Sequence, residues 1–410
     1  MRVLLFTGKG GVGKTTAAAA TAVALARGGR KVLVLSADPA HSLGDAFAAR
    51  LDGTPVEVAP RAYPGLFAAH IDTRALVDDA WEPLRAQLRT LLAGAGVDEM
   101  VADELTVLPG VEELLALEDV RRATVDGPWE VVVVDCGPTA ETLRLLALPE
   151  ALGSYLERLF PAHRRAVRGV LAGLAGSSAT VAKWDTAAAS LSRLAEQLAG
   201  LRDLLADHRT TTIRLVLTPE RVVAAETRRT LTALALHGLH VDGIVANRLV
   251  PDAGHGRGPA ASWVRARREE QEAVLAELSG VGGDVPVRRV PHEAGEPVGV
   301  EALAELAEVI YGGDDPLDGP VGRALVAVRR TGGVGTAPDS EFVLDLHVVG
   351  IGDAAVDLAR IGDELAVTVD GRRRAVALPP VLRRCEVTGA DLEEDVLSVV
   401  FRPDPAVWMR

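Results

Sequence analysis

Gly8-Lys9-Gly10-Gly11-Val12-Gly13-Lys14-Thr15-Thr16 lies between a short apolar run and an alanine-rich segment. Arg2–Thr7 has the composition of a buried strand, and Ala17–Arg27 favours a helix that ends at Gly28-Gly29. A glycine-rich loop between a strand and a helix directs backbone N–H groups toward phosphate oxygens. The pattern therefore predicts a phosphate-binding loop, in which Lys14 contacts the β- and γ-phosphates of a nucleotide and the Thr15 hydroxyl ligates Mg²⁺.

Two later strands lead into carboxylates. Lys31–Ser36 is followed by Asp38, and the apolar run Trp129–Val134 ends at Asp135. The carboxyl ends of parallel strands lie at the edge of the sheet where α/β proteins bind ligands. Asp135 is therefore expected to hold Mg²⁺, through water, and a water-positioning role suits Asp38. A turn or helix-capping role before Pro39 is the alternative for Asp38.

Composition limits the class of protein. A chain of 410 residues with 48% hydrophobic and 25% charged residues suits a globular protein of about two or three domains. The formal net charge of −13 argues against nucleic-acid partners and anionic membrane surfaces. The two cysteines, Cys136 and Cys385, cannot form a disulfide framework, and neither a signal peptide nor a transmembrane segment is visible. A cytoplasmic location without stable membrane insertion is expected.

The segment Ala37-Asp-Pro-Ala-His-Ser-Leu-Gly-Asp-Ala-Phe47, together with Lys9 in the loop, resembles the ArsA-like ATPases, which include the arsenite-pump and tail-anchored-protein-targeting enzymes. The resemblance implies a homodimer in which Lys9 reaches the nucleotide of the partner, and it implies that Asp38 orients and deprotonates the attacking water. A solvated loop lysine is the alternative for Lys9. His41 either contacts the γ-phosphate region or caps its loop.

The same resemblance implies ATP and Mg²⁺ as cofactors. An asparagine amide, with a donor and an acceptor, suits the adenine edge. The resemblance also implies that Pro291, with His292 and Glu293, lies where the family closes over the base. The residues expected to contact the nucleotide are Gly8, Lys9, Gly10, Gly11, Val12, Gly13, Lys14, Thr15, Thr16, Asn247 and Pro291.

Cys136–Leu146 resembles the switch II segment of the family but departs from it. Cys136, Gly137, Ala140 and Glu141 replace the usual residues, and the loss of a hinge glycine at Ala140 predicts altered coupling between hydrolysis and opening. Cys136 is interpreted as a small buried residue, with metal or cluster ligation as the alternative. No zinc or iron–sulfur cluster is expected.

The predicted fold is α/β, a mostly parallel sheet flanked by helices in residues 1–311, with helical insertions at about 74–123 and 151–205. Residues 312–338 are rich in glycine and proline and predict a linker. Residues 339–410 alternate short strands and turns, and they resemble the α-crystallin (small heat-shock protein) domain, a β-sandwich. An unrelated small β-domain is the alternative.

The expected function is that of a homodimeric Mg²⁺-ATPase that switches between open and closed states to bind, chaperone or target a hydrophobic or membrane-protein client. The apolar helices of 151–205 either form a client groove or pack on the sheet. Alternatives are the energising ATPase of an arsenite or anion efflux pump, and a small-heat-shock-type holdase regulated by ATP.

Overall fold

The computed structural model describes residues 1–38, 42–78, 85–86, 111–138, 193, 196–197, 199–281, 285–320, 326–334, 337, 339–347, 356–369, 372–393 and 396–408. Several sequence predictions lie outside these residues: His41, the switch II-like segment after Pro138, and most of the helical segments expected at 74–123 and 151–205. The chain forms two compact units, residues 1–211 with 296–316, and residues 212–295 with 317–410.

The first unit is built on a mostly parallel sheet. Its strands are β1 (Arg2–Gly8), β2 (Val32–Ser36), β3 (Val56–Glu57), β4 (Leu66–His70) and β5 (Val131–Pro138). They lie in the order β3-β4-β2-β5-β1, and only β3 pairs antiparallel with its neighbour. The central strands are nearly continuous apolar runs, as expected where both faces of a parallel sheet are covered.

The α-helices whose bounds are defined include α1 (Lys14–Arg27), α2 (Ser42–Phe47), α3 (Thr73–Leu76), α4 (Val111–Asp126), α5 (Arg221–Leu236), α6 (Pro259–Val281) and α7 (Val300–Tyr311). In the first unit, α7 packs against α1, and a buried hydrogen bond of 2.6 Å joins the Thr21 and Tyr311 hydroxyls. Alanines on α1 are fully buried and allow this close approach. Packing of α7 therefore fixes the position of α1, the helix that follows the glycine loop.

The register of the strands brings their carboxyl ends together. Asp135 of β5 pairs with Ser36 of β2 on one side and with Phe6 of β1 on the other. The glycine loop leaves β1 directly after this point. The predicted phosphate-binding loop and the two predicted carboxylates therefore belong to one edge of the sheet.

The second unit contains three parallel strands, β6 (Thr211–Leu217), β7 (Val241–Leu249) and β8 (Val287–Pro291), with α5 and α6. A buried ion pair joins neighbouring strands here, with Arg214 Nε donating to Asp242 Oδ1 at 3.0 Å. The Thr212 hydroxyl also donates to Asp242, at 2.7 Å. Satisfied in this way, the buried charges are compatible with the apolar interior.

The C-terminal part of the second unit contains two antiparallel sheets. Their strands are β9 (Val326–Gly332), β10 (Glu341–His347), β11 (Val356–Ile361), β12 (Glu364–Val369), β13 (Arg372–Ala377), β14 (Cys385–Glu393) and β15 (Val396–Pro403). The sheets have the orders β14-β15-β10-β9 and β11-β12-β13. Leu344, Val367 and Phe401 share one buried core, which is the arrangement of a β-sandwich. The predicted fold class is confirmed.

One strand was not expected. β9 lies inside the glycine- and proline-rich segment 312–338 that predicts a linker, and it pairs antiparallel with β10. The run Val326-Ala-Val328 contains β-branched residues that favour a strand. The glycines and prolines on either side of it dominate the composition of the segment, which therefore predicts a linker. The domain boundaries at 311 and 338 stay a prediction. None of the described helices combines the length and apolar character needed to cross a membrane.

Candidate functional site: a nucleotide-binding loop with two carboxylates

The glycine loop contains backbone conformations that residues with a side chain rarely adopt. Gly11 and Gly13 adopt left-handed conformations, with φ of 76° and 94°, and Gly13 immediately precedes α1. A Cβ added to Gly10 or Gly11 would meet no atom within 4 Å, so open space lies beside both residues. The loop ends at the N-terminus of α1, where free N–H groups and the helix dipole favour an anion.

Lys14 and Thr15 begin α1 and are directed into the site. Lys14 is 9% exposed, and its ammonium group donates to the carbonyl of Lys9 at 3.3 Å, across the loop. The Thr15 hydroxyl donates to Asp135 Oδ2 at 2.7 Å. Lys9 itself is exposed. One lysine is therefore held within the loop of its own chain, and the other extends toward solvent.

Asp135 is the buried centre of the site. It is completely inaccessible to solvent, and its Oδ2 atom accepts hydrogen bonds from Thr15 and, at 3.2 Å, from Ser36. Its Oδ1 atom is buried without a hydrogen-bond partner among the described residues. Burial raises the pKa of Asp135 to about 6, against the favourable effects of Thr15 and Lys14. A carboxylate oxygen left in this state favours a nearby cation.

Asp38 lies just beyond the end of β2 and is oriented by two serines. Its Oδ2 atom accepts a hydrogen bond from the Ser42 hydroxyl at 2.9 Å, at the start of α2. Its backbone N–H donates to the Ser36 hydroxyl at 3.2 Å. Asp38 is also close enough to Asp135 to raise the pKa of that carboxyl. The Ser36 hydroxyl therefore joins the carboxylate of Asp135 to the backbone of Asp38.

The two cysteines are expected to be unreactive. Cys136 and Cys385 are free and buried. Burial raises the pKa of the Cys136 thiol to about 12 and also raises that of Cys385, so both are neutral thiols near pH 7. Within the part of the chain that the structure describes, no group of three or more histidine, cysteine or acidic residues forms a metal site.

The predicted base-contacting residues lie at the carboxyl ends of neighbouring strands in the second unit. Asn247 is near the end of β7, and Pro291 is the last residue of β8, where it pairs with Leu249. The Asn247 Oδ1 atom accepts a hydrogen bond from the Arg248 backbone N–H at 2.8 Å. The role of both residues toward a nucleotide stays a prediction.

Residues 1–312 match the family described as anion-transporting ATPase, and residues 339–401 match the HSP20-like domain found in ArsA. The chain belongs to the ArsA family of anion-transporting ATPases. A Mycobacterium tuberculosis protein, Rv2184c, is 40% identical to this ArsA-family chain over 99% of it and 97% of its own length. A Prosthecochloris vibrioformis protein named arsenical pump-driving ATPase is 33% identical, over 98% of this chain and 96% of its own.

A more distant relative of this ArsA-family chain is the ATPase get3 of Aspergillus terreus, which is 29% identical over 76% of this chain and 90% of its own length. The family match confirms the predicted relationship, the HSP20-like domain and the assignment of the chain as an ATPase. Ser36 and Ser42 are the site residues that the sequence analysis did not single out. Ser36 precedes Asp38 by two residues and Ser42 follows it by four. Serines at these positions form no motif that would indicate a role in the site.

Proposed function

We propose that this ArsA-family ATPase hydrolyses Mg²⁺-ATP at the site formed by the glycine loop, Asp38 and Asp135. The observation that supports it most directly is the buried, unpartnered Oδ1 atom of Asp135 beside the Thr15 hydroxyl. Oxygen ligands of this kind suit Mg²⁺, which Thr15 would hold directly and Asp135 through water. When bound, Mg²⁺ neutralises charge on the phosphate oxygens.

The residues of the chain then have separate roles. Loop N–H groups and Lys14 bind the phosphates and stabilise the charge that develops on them. Asp38 accepts a proton from the attacking water and orients it toward the γ-phosphorus. Ser42 donates to one oxygen of Asp38 and so helps to fix the orientation of its carboxylate. Asn247 and Pro291 contact the base.

We further propose that the active form is a homodimer closed by ATP, in which Lys9 binds the phosphates of the nucleotide on the partner. The exposure of Lys9 supports this role, since Lys14 already supplies the cation within its own loop. Closing and opening would bind and release a hydrophobic or membrane-protein client. A holdase whose HSP20-like domain binds the client under the control of ATP is compatible with the same cycle.

Mixing two inactive variants tests the role of Lys9. Lys9→Ala alone is expected to lower ATP turnover at least about 100-fold, because a cation on the transferring phosphate is lost. Asp38→Asn chains carry an intact Lys9, and Lys9→Ala chains carry an intact Asp38. After exchange at equal concentration, the mixed dimers have one complete site each, so about one quarter of the wild-type activity should return.

Lys31→Ala is the matched control for this mixture, because Lys31 precedes β2 and lies at the opposite end of the strand from Asp38. It should retain wild-type turnover. A mixture no more active than the sum of its two components would contradict action of Lys9 on the partner's nucleotide.

The second candidate function is that of the ATPase of an arsenite or other anion pump, which the names of several relatives favour. Arsenite binds soft thiolates, but the thiols of Cys136 and Cys385 are buried and neutral. Sodium arsenite is therefore expected to leave ATP turnover of the purified protein unchanged. Stimulation by arsenite that is lost in Cys136→Ser or Cys385→Ser would instead support the pump function.

A further inference from the structure

The end of β7 is irregular, because its register with β8 shifts between Ala246 and Leu249. Arg248 has φ of 57°, in the left-handed region, which is unfavourable for residues with a Cβ. Arg248 is exposed to solvent. It directly follows Asn247, whose side-chain oxygen accepts from the Arg248 N–H. A backbone of this shape persists only where its surroundings hold it.

Gln271 of α6 provides that support. Gln271 is buried, with 3% of its surface exposed. The oxygen and the nitrogen of its side-chain amide each form a hydrogen bond to the backbone, one on either side of Leu249. The Oε1 atom accepts from the Val250 N–H at 2.8 Å, and Nε2 donates to the Arg248 carbonyl at 3.1 Å. Gln271 therefore replaces the strand partners that these two backbone groups would otherwise need.

The end of β8 also contacts the backbone of β7 at Leu249. The His292 N–H donates to the Leu249 carbonyl at 2.8 Å, and Pro291 pairs with Leu249 in the sheet. The Gln271 bonds from the helix and the His292 bond from the neighbouring strand thus converge on the backbone of residues 248–250. Asn247 is the side chain that this arrangement presents at the strand end.

We propose that Gln271 is a positioning residue that holds Arg248 in its left-handed conformation and thereby directs the Asn247 amide toward a 6-aminopurine base. The inference rests on the proposed function, which assigns the base to Asn247 and Pro291. An asparagine amide reads such a base through one donor and one acceptor, so its orientation determines the discrimination. Gln271 itself touches backbone and not the nucleotide.

The test compares ATP with inosine triphosphate, which carries an oxygen in place of the 6-amino group. In Gln271→Met, which keeps an unbranched side chain but neither hydrogen bond, the ratio of kcat/KM for ATP to that for inosine triphosphate should fall about fivefold to tenfold. The loss should appear as a higher KM for ATP and not as a lower kcat, because the phosphate site is intact. Glu269→Met, at an exposed position of the same helix, should retain the wild-type ratio.

A further variant, Asn247→Ala, separates the possible outcomes. Asn247→Ala should lower the ratio at least as much as Gln271→Met, and if it does not, the proposed base contact is wrong and the role of Gln271 with it. If Asn247→Ala lowers the ratio and a folded Gln271→Met does not, only the role of Gln271 is overturned.

The double variant Arg248→Gly/Gln271→Met addresses the strain itself. Glycine adopts positive φ without the steric cost, so the ratio should recover toward that of the Arg248→Gly single variant. A role limited to stabilising the fold would leave the ratio low in the double variant, and this result would contradict the inference. Should Gln271→Met fail to fold, Gln271→Glu, which keeps the acceptor for the Val250 N–H, provides the same comparison.

Discussion

Lys14→Ala is expected to abolish steady-state ATP turnover, with kcat/KM lowered by about 10³-fold or more. Lys14 is almost completely buried, and its ammonium group already lies across the glycine loop, bonded to the Lys9 carbonyl. In the function we propose, Lys14 binds the phosphates from this position. Alanine at this position removes the positive charge while leaving the glycines and the start of α1 in place.

Phosphate release at saturating and subsaturating ATP measures this loss, and the far-ultraviolet circular dichroism spectrum checks that the variant is folded. Lys31→Ala, at the other end of β2, is the control for loss of a lysine. Turnover by a folded Lys14→Ala protein within tenfold of wild type would show that the phosphates are not bound by this loop in the way we propose.

Asp38→Asn is expected to lower kcat by about 10²–10⁴-fold while ATP still binds with nearly wild-type affinity. Asparagine keeps the size of the side chain and an oxygen that accepts the Ser42 hydroxyl bond, but it cannot accept the proton of the attacking water. Binding of ATP, measured by fluorescence of a labelled analogue, separates this result from a loss of nucleotide. Wild-type turnover by this variant would contradict the catalytic role of Asp38.

Ser42→Ala is the companion variant. It removes only the bond that orients one oxygen of Asp38, so its loss in kcat should lie between wild type and Asp38→Asn. An effect as large as that of Asp38→Asn would instead indicate that Ser42 has a role of its own in the reaction.

Much of this site could be predicted from the sequence because its determinants are local. The glycine spacing, Lys14 and Thr15 form one contiguous motif, and the strands before Asp38 and Asp135 read as buried apolar runs. Parallel pairing of β1, β2 and β5 then places their carboxyl ends at one edge without further information. The C-terminal sandwich was predictable for a similar reason, since its hairpins alternate strands with turns such as that at Gly362, whose φ is 60°.

What the sequence did not reveal depends on tertiary placement. Ser36, Ser42 and Gln271 are ordinary polar residues, and their roles arise only from the groups that the fold brings against them. The unpartnered oxygen of Asp135 is likewise a property of packing. β9 was missed because its short β-branched run is flanked by glycines and prolines, and the long-range partner that stabilises it, β10, cannot be read from composition.

We propose that ATP held by the loop of Gly8–Thr16 is cleaved by a water molecule that Asp38 orients and deprotonates. A single-turnover experiment with Asp38→Asn tests it most directly, by mixing excess protein with γ-labelled ATP and Mg²⁺ and quantifying the nucleotide that stays bound. We predict that the ATP remains bound and uncleaved long after the wild type has converted it to ADP. Release of labelled phosphate by Asp38→Asn at the wild-type rate would contradict the account.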